Sequence, residues 1–269
     1  MASSSPSPKT KTEILSPTIL AHSPHLPALV KLLNYTYDQS HIHGRNGRLL
    51  PPDPTTRLKS LAQLSDELKP DGFTILMFSS EKFLDEDIEG LIANGANGTT
   101  LIATVSAKPY VPTKPEGDGL GERAHLLFKR PPPARNDPEA DADGRGGDEG
   151  WPKWEILAMA VHPRLQGRGL ASTLMAQAIE EIKTRAAAAA SVPAPTPTPH
   201  RQKSTGHHPG NGEVAKGKVM LMLSTMLELN EPYYLKRGFT TTAVRRFEPG
   251  TVGSVDGFSV VEMMRWVDL

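Results

Sequence analysis

The chain has 269 residues, with 30 basic and 30 acidic side chains, a formal net charge of zero and 38% apolar residues, a balance with no basic footprint for nucleic acid. It contains no cysteine, which excludes disulfides, thiolate metal sites and a cysteine nucleophile. No apolar run approaches the ~18 residues of a membrane span, and 25 prolines with 23 glycines suit one compact domain of about 150–200 residues interrupted by loops.

The first dozen residues, MASSSPSPKTKT, are polar and rich in Ser and Pro. They lack the apolar core of a secretory signal, so residues 1–13 read as a disordered tail and the protein as cytoplasmic or nuclear. Residues 14–21 suit a first strand, weakened by Pro17. Leu26, Leu29, Val30, Leu33 and Tyr37 form a helical stripe, followed by a polar loop with His41 and His43. Asp53-Pro54 reads as the N-cap and first position of a helix running through Leu58, Leu61, Leu64 and Leu68. Residues 74–78 and 101–105 read as strands, with a helical turn and loop over 81–97 between them.

Two inserts interrupt the pattern. Residues 111–150 are rich in Pro, Gly and acidic side chains; residues 186–216 pass from polyalanine through alternating proline to a His- and Gly-rich stretch with His207-His208. Alternating proline stops any helix beyond Ser191 and favours extended, solvated chain. Neither histidine pair is read as a metal site, so no metal is expected. Residues 219–223 form another apolar strand, 230–237 a short helix ended by Gly238, and 240–247 with 258–267 a final antiparallel pair.

The densest signal lies in residues 154–182, WEILAMAVHPRLQGRGLASTLMAQAIEEI. Residues 156–161 are an unbroken apolar run, as in a strand buried on both faces. His162-Pro163 ends it, because proline cannot donate to a ladder. Ala171, Leu174, Met175, Ala178, Ile179 and Ile182 then fall on one helical face. The turn between strand and helix holds Gly167 and Gly169. A helix start presents free backbone N–H groups and the positive end of the helix dipole. Glycines let a large anion approach, and Arg168 adds positive charge. This chemistry suits a diphosphate.

Gln166-Gly167-Arg168-Gly169-Leu170-Ala171 resembles the Gln/Arg-x-x-Gly-x-Gly/Ala signature of the GNAT superfamily of N-acetyltransferases, and Ala160-Val161-His162-Pro163 is similar to that family's strand end. Further on, Asn230-Glu231-Pro232-Tyr233-Tyr234-Leu235-Lys236-Arg237-Gly238-Phe239 resembles its Asn…Tyr-x-x-x-Gly-Phe segment. The resemblance implies a single α/β domain over 14–269, with a mixed, largely antiparallel sheet flanked by helices and the two inserts as additions. It implies acetyl-CoA as co-substrate. Its diphosphate would lie on Gln166, Gly167, Arg168, Gly169, Leu170, Ala171 and Ser172. Its pantetheine arm would lie along the backbone of Met159, Ala160 and Val161, where the strand splays from the one at 219–223.

The same resemblance places Tyr234 near the departing sulfur as general acid, with Tyr233 as packing. Asn230 either hydrogen-bonds the pantetheine or caps its helix. Glu155 stands where histone-acetylating members carry a glutamate base, and equally suits a solvated carboxylate at a strand start. His162 takes a turn position.

The expected activity is direct acetyl transfer to a primary amine of a small molecule or polypeptide, with no nucleic-acid or membrane partner. The first alternative is a catalytically silent acyl-CoA-binding module. The second is a dinucleotide-binding oxidoreductase, which Gly167-x-Gly169-x-x-Ser172 partly imitates. Against the oxidoreductase, polyalanine stands about twenty residues on, where an acidic ribose ligand belongs.

Overall fold

The computed structural model describes residues 9–43, 57–80, 99–111, 124–129, 151–190, 217–251 and 254–269. The Asp53-Pro54 cap, the 81–97 segment, His207-His208 and most of both inserts lie outside the described residues. In chain order the elements are β1 (Thr10–Leu15), α1 (Pro17–Ala21), α2 (Leu26–His43), α3 (Leu61–Leu68), β2 (Phe73–Ser79), β3 (Thr100–Pro109), β4 (Ala124–Lys129), β5 (Lys153–Val161), a 3-10 turn (Pro163–Leu165), α4 (Leu170–Ala190), β6 (Lys218–Met226), α5 (Leu227–Leu235), β7 (Thr240–Phe247) and β8 (Phe258–Asp268).

The strands form one sheet in the order β1-β2-β3-β5-β6-β8-β7-β4. Every neighbouring pair is antiparallel except β5 with β6. This is the mixed, largely antiparallel sheet that the resemblance implied. A doubly wound dinucleotide fold needs a mostly parallel sheet, so the oxidoreductase alternative has no scaffold here.

Alternation along β2 explains the layers. Phe73, Ile75 and Met77 join the core beneath α4, with Leu174, Ala178 and Ile182, while Leu76 and Phe78 join the core beneath α2 and α3, with Leu29, Leu33 and Leu64. All seven β2 residues are buried, as expected for a strand covered on both faces.

Four expectations need correction. β1 begins at Thr10, inside the expected tail, and pairs residue by residue with β2 from Thr10↔Ser79 to Leu15↔Thr74; β-branched threonines serve an edge strand even in a polar stretch. Pro17 does not weaken that strand. It opens α1, where its missing N–H costs nothing, and Ser16 caps the helix by accepting from the Ile19 amide. The helix expected from Asp53 starts only at Leu61. Ser60 caps it through the Gln63 amide, and the Gln63 side chain accepts from Lys59 N–H at 2.8 Å. Leu58, buried ahead of that helix, exchanges two hydrogen bonds with the Asn34 side chain instead. Finally, His41 and His43 belong to the last turn of α2, not to a loop.

The 111–150 insert also contributes to the sheet. Its residues 124–129 are β4, which pairs antiparallel with β7 at the outer edge. By contrast, α4 runs through the polyalanine to Ala190, and the expected proline stop beyond Ser191 lies outside the described residues.

Candidate active site

The site begins where two parallel strands part. β5 pairs with β6 only at Lys153↔Met220, Trp154↔Leu221 and Glu155↔Met222. Beyond that point β5 stays with β3 and β6 stays with β8 through Met226↔Val260. The parting opens a cavity of about 750 Å³ between the end of β5 and the end of β6. Thr36, Tyr37 and Ser40 of α2 form one wall, and Asn230, Tyr233 and Tyr234 of α5 another.

β5 is bulged at the opening. Leu157 faces Ser106 and Ala160 faces Thr104, so Ala158 and Met159 together stand opposite the single Val105. Ala158 takes a positive φ of 49°, an uncommon conformation for a residue with a Cβ. The bulge puts both Leu157 and Ala158 against the α2–α3 core and returns Met159 to the other face. One backbone unit is thereby left out of the ladder beside the cavity, a local strain of the kind held at functional sites.

The turn that follows is built as the sequence indicated. His162 donates its N–H to Ile102 O at 2.9 Å and accepts from Leu165 N–H at 2.8 Å. Gln166 donates its side-chain amide to Val161 O at 3.1 Å, bracing the turn against the strand end. Gly167 and Gly169 have φ of +77° and +82°, and a Cβ built on either meets nothing within 4 Å. Both glycines therefore face open space in a conformation that other residues rarely adopt. Gly167, Gly169, Leu170, Ala171 and Ser172 line the cavity, at the start of α4, where amides lack intrahelical acceptors.

Tyr234 is 8% exposed, and its ring meets Tyr233 edge-on at 5.0 Å and Phe239 at 5.7 Å. Burial holds its hydroxyl far above the usual phenol range, the neighbouring Tyr233 and Tyr37 add to the rise, and the Arg237 charge offsets part of it. Tyr233 is raised for the same first reason, against the Arg237 charge and the Ser172 hydroxyl. His162, 2% exposed, has its pKa lowered by burial, and its Nε2 is buried without a hydrogen-bond partner.

Most of the sequence-selected residues converge on this cavity: Met159, Ala160, Val161, Gln166, Gly167, Gly169, Leu170, Ala171, Ser172, Asn230 and Tyr234 all line it. Two do not. Arg168 is exposed and outside the lining. Glu155 also lies outside it, because the two strands are still joined at Glu155↔Met222; its carboxylate pairs instead with Lys108 at 3.6 Å. Asn230 does not cap α5, which starts at Leu227; its side chain donates to Thr225 Oγ1 at 3.0 Å.

The wall residues that the sequence reading did not select include Tyr37, Tyr233 and Arg237. Tyr37 was legible only as part of an apolar stripe. Tyr233 and Arg237 sit inside the second motif, and the positive charge of Arg237 beside Gly238 was the available signal. Among the described residues, no group of three or more His, Asp or Glu is placed to hold a metal.

Residues 135–196, which contain β5, the glycine turn and α4, match the family model described as the Acetyltransferase (GNAT) family. No curated protein sequence matches the chain. Among solved structures, the chain is similar to Escherichia coli ElaA at 14% identity, covering 96% of this chain and 99% of that one, with a TM-score of 0.43. It is similar to Arabidopsis thaliana NAA60 in complex with a bisubstrate analogue at 12% identity, covering 96% and 98%, with a TM-score of 0.45. It is also similar to FeeM, an N-acyl amino acid synthase from uncultured soil microbes, at 14% identity, covering 97% and 92%, with a TM-score of 0.43. The family match falls on the strand, glycine turn and helix that form one side of the cavity.

Proposed function

We propose that the protein is an acetyl-CoA-dependent N-acetyltransferase that moves an acetyl group directly to a primary amine of a small molecule or polypeptide. The observation that carries the proposal is the parting of β5 and β6 beside the glycine turn, with the buried phenol of Tyr234 in the wall of the gap. The residues fit the co-substrate. Open space over Gly167 and Gly169, next to unpaired amides at a helix start, accepts a diphosphate. The Met159–Val161 backbone and Asn230 flank the slot that a pantetheine arm would follow.

When bound, acetyl-CoA supplies a thioester whose carbonyl carbon takes the amine nitrogen and whose sulfur leaves as a thiolate. A backbone amide at the Ala158–Met159 bulge, outside the strand ladder, serves as donor to the carbonyl oxygen, an oxyanion-hole role. Tyr234 holds its proton firmly, so it stabilises the departing sulfur chiefly by donating a hydrogen bond. Glu155, paired with Lys108 at 3.6 Å, lies outside the slot.

The test is thermal. A ligand bound only by the folded state at a hundred times its Kd stabilises by about 2.7 kcal/mol. At roughly 2–4 °C per kcal/mol for a domain of this size, acetyl-CoA raises Tm by about 5–11 °C while NAD does little. A shift with NAD and none with acetyl-CoA overturns the proposal. Thiol release is then followed with polyamines, arylamines, amino acids and peptide N-termini. Binding of acetyl-CoA without thiol release from any of them would make the protein a silent acyl-CoA-binding module.

A further inference from the structure

Among the described residues lining the cavity, Arg237 is the one with a charged side chain. It follows α5 and reaches back across the cavity mouth to the start of α4. Its guanidinium lies 3.4 Å from the centroid of the Tyr233 ring, donates to Tyr233 O at 2.8 Å and donates to the hydroxyl of Ser172. Ser172 is the third residue of α4, so the guanidinium stands within one turn of the unpaired amides of Leu170 and Ala171. A guanidinium has five N–H donors in a planar fork. Tyr233 O and the Ser172 hydroxyl take two, and three remain.

We propose that Arg237, rather than Arg168, supplies the cationic half of the coenzyme's diphosphate site, with the α4 amides as the neutral half. The inference rests on the acetyl-CoA reading above and names which charge in that site meets the ligand. Tyr233 and Ser172 position the fork before the ligand arrives, so little side-chain freedom is lost on binding. Arg168, exposed on the turn and outside the wall, keeps its charge in water, where it is screened.

The experiment compares the full chain with Arg237→Gln against three ligands: CoA, 3′-dephospho-CoA and pantetheine. The first two are followed by calorimetric titration and the third by NMR titration. Loss of a hydrogen bond to a charged group at ~1.5–3 kcal/mol corresponds to about 10–150-fold weaker binding. That loss is expected equally for CoA and 3′-dephospho-CoA, which share the diphosphate, and not for pantetheine, which lacks it. Arg237→Lys, which keeps the charge and loses the fork, should recover part of the affinity. Equal weakening of all three ligands would show that Arg237 merely shapes the slot and would overturn the proposal. A loss confined to CoA would move the contact to the 3′-phosphate and overturn it too, as would no loss at all. Failure of the unaltered protein to bind CoA is a separate result, and it would refute the acetyl-CoA reading itself.

Discussion

The two ends of the β5–β6 pair are made from similar apolar sequence and have opposite fates. At the joined end, Trp154 and Leu221 sit in register, 5% and 0% exposed, with the Trp154 ring 5.9 Å from that of Phe73. Backbone groups there are spent on the ladder and side chains on the core. At the open end, Ala158 and Met159 bulge and Thr225 and Met226 pair only with β8, leaving wall in place of core. The joined end is built for stability. The open end gives up strand pairing for a slot with unspent backbone groups, and it can do so because α2, α4 and α5 hold the strands from either side.

Substitutions at the two ends should therefore fail differently. The largest effect is expected at the joined end: Leu221→Ala removes a fully buried side chain and should cost about 2–5 kcal/mol in denaturant unfolding. Met159→Ala, at the open end, should cost under ~1.5 kcal/mol, since part of that side chain already faces the slot. Equal costs would show that the open end is packed as core, against the comparison.

Next in size, Tyr234→Phe should lower kcat about 100-fold and leave acetyl-CoA affinity nearly unchanged. Because burial holds the Tyr234 hydroxyl far above the usual phenol range, the loss should stay constant from pH 6 to 9 in rate profiles. A loss that grew with pH across that interval would mean that the phenol ionises there, contrary to its buried setting.

A smaller effect concerns the buried strand-end imidazole. The folded state holds His162 neutral, with its pKa below the ordinary value of 6.5, so the unfolded chain binds more protons as pH falls. The resulting stability is present above pH ~6.5 and is lost as pH falls through the lowered folded value. Melting temperatures between pH 7.5 and 5 should fall less steeply for His162→Phe than for the unaltered chain. Parallel slopes would contradict this.

The smallest effect belongs to Glu155. Its carboxylate, 33% exposed, meets Lys108 at 3.6 Å. Such pairs contribute roughly 0.2–1 kcal/mol, so Glu155→Gln should shift stability within that range and leave the pH–rate profile in place. A loss of rate greatest at neutral pH that shrank as pH rose would restore Glu155 as the base.

The strand, turn and helix from β5 to α4 were legible because each depends on local rules: an apolar run, a proline stop, glycines with positive φ and a 3.6-residue stripe. Tyr234 was legible through its spacing to Gly238. The joined end was not, since Glu155 suited either a catalytic base or a solvated carboxylate at a strand start, and only the register with β6 places it where the strands are still paired. Nor was β1, whose polar threonines and lysine read as tail until an exposed edge of β2 gave them a partner.

By itself, then, the sequence determined the short-range structure: where the apolar strand stops, where glycines open the turn before α4, and which phenol stands near Gly238. Only the tertiary structure decided which charges enter the slot. Arg237 comes to Ser172 across 65 residues of chain, Tyr37 arrives from α2, and Glu155 is left outside by one step of strand pairing. Those outcomes depend on contacts between distant segments and on the point where two strands separate, and neither is encoded in the spacing of any single stretch.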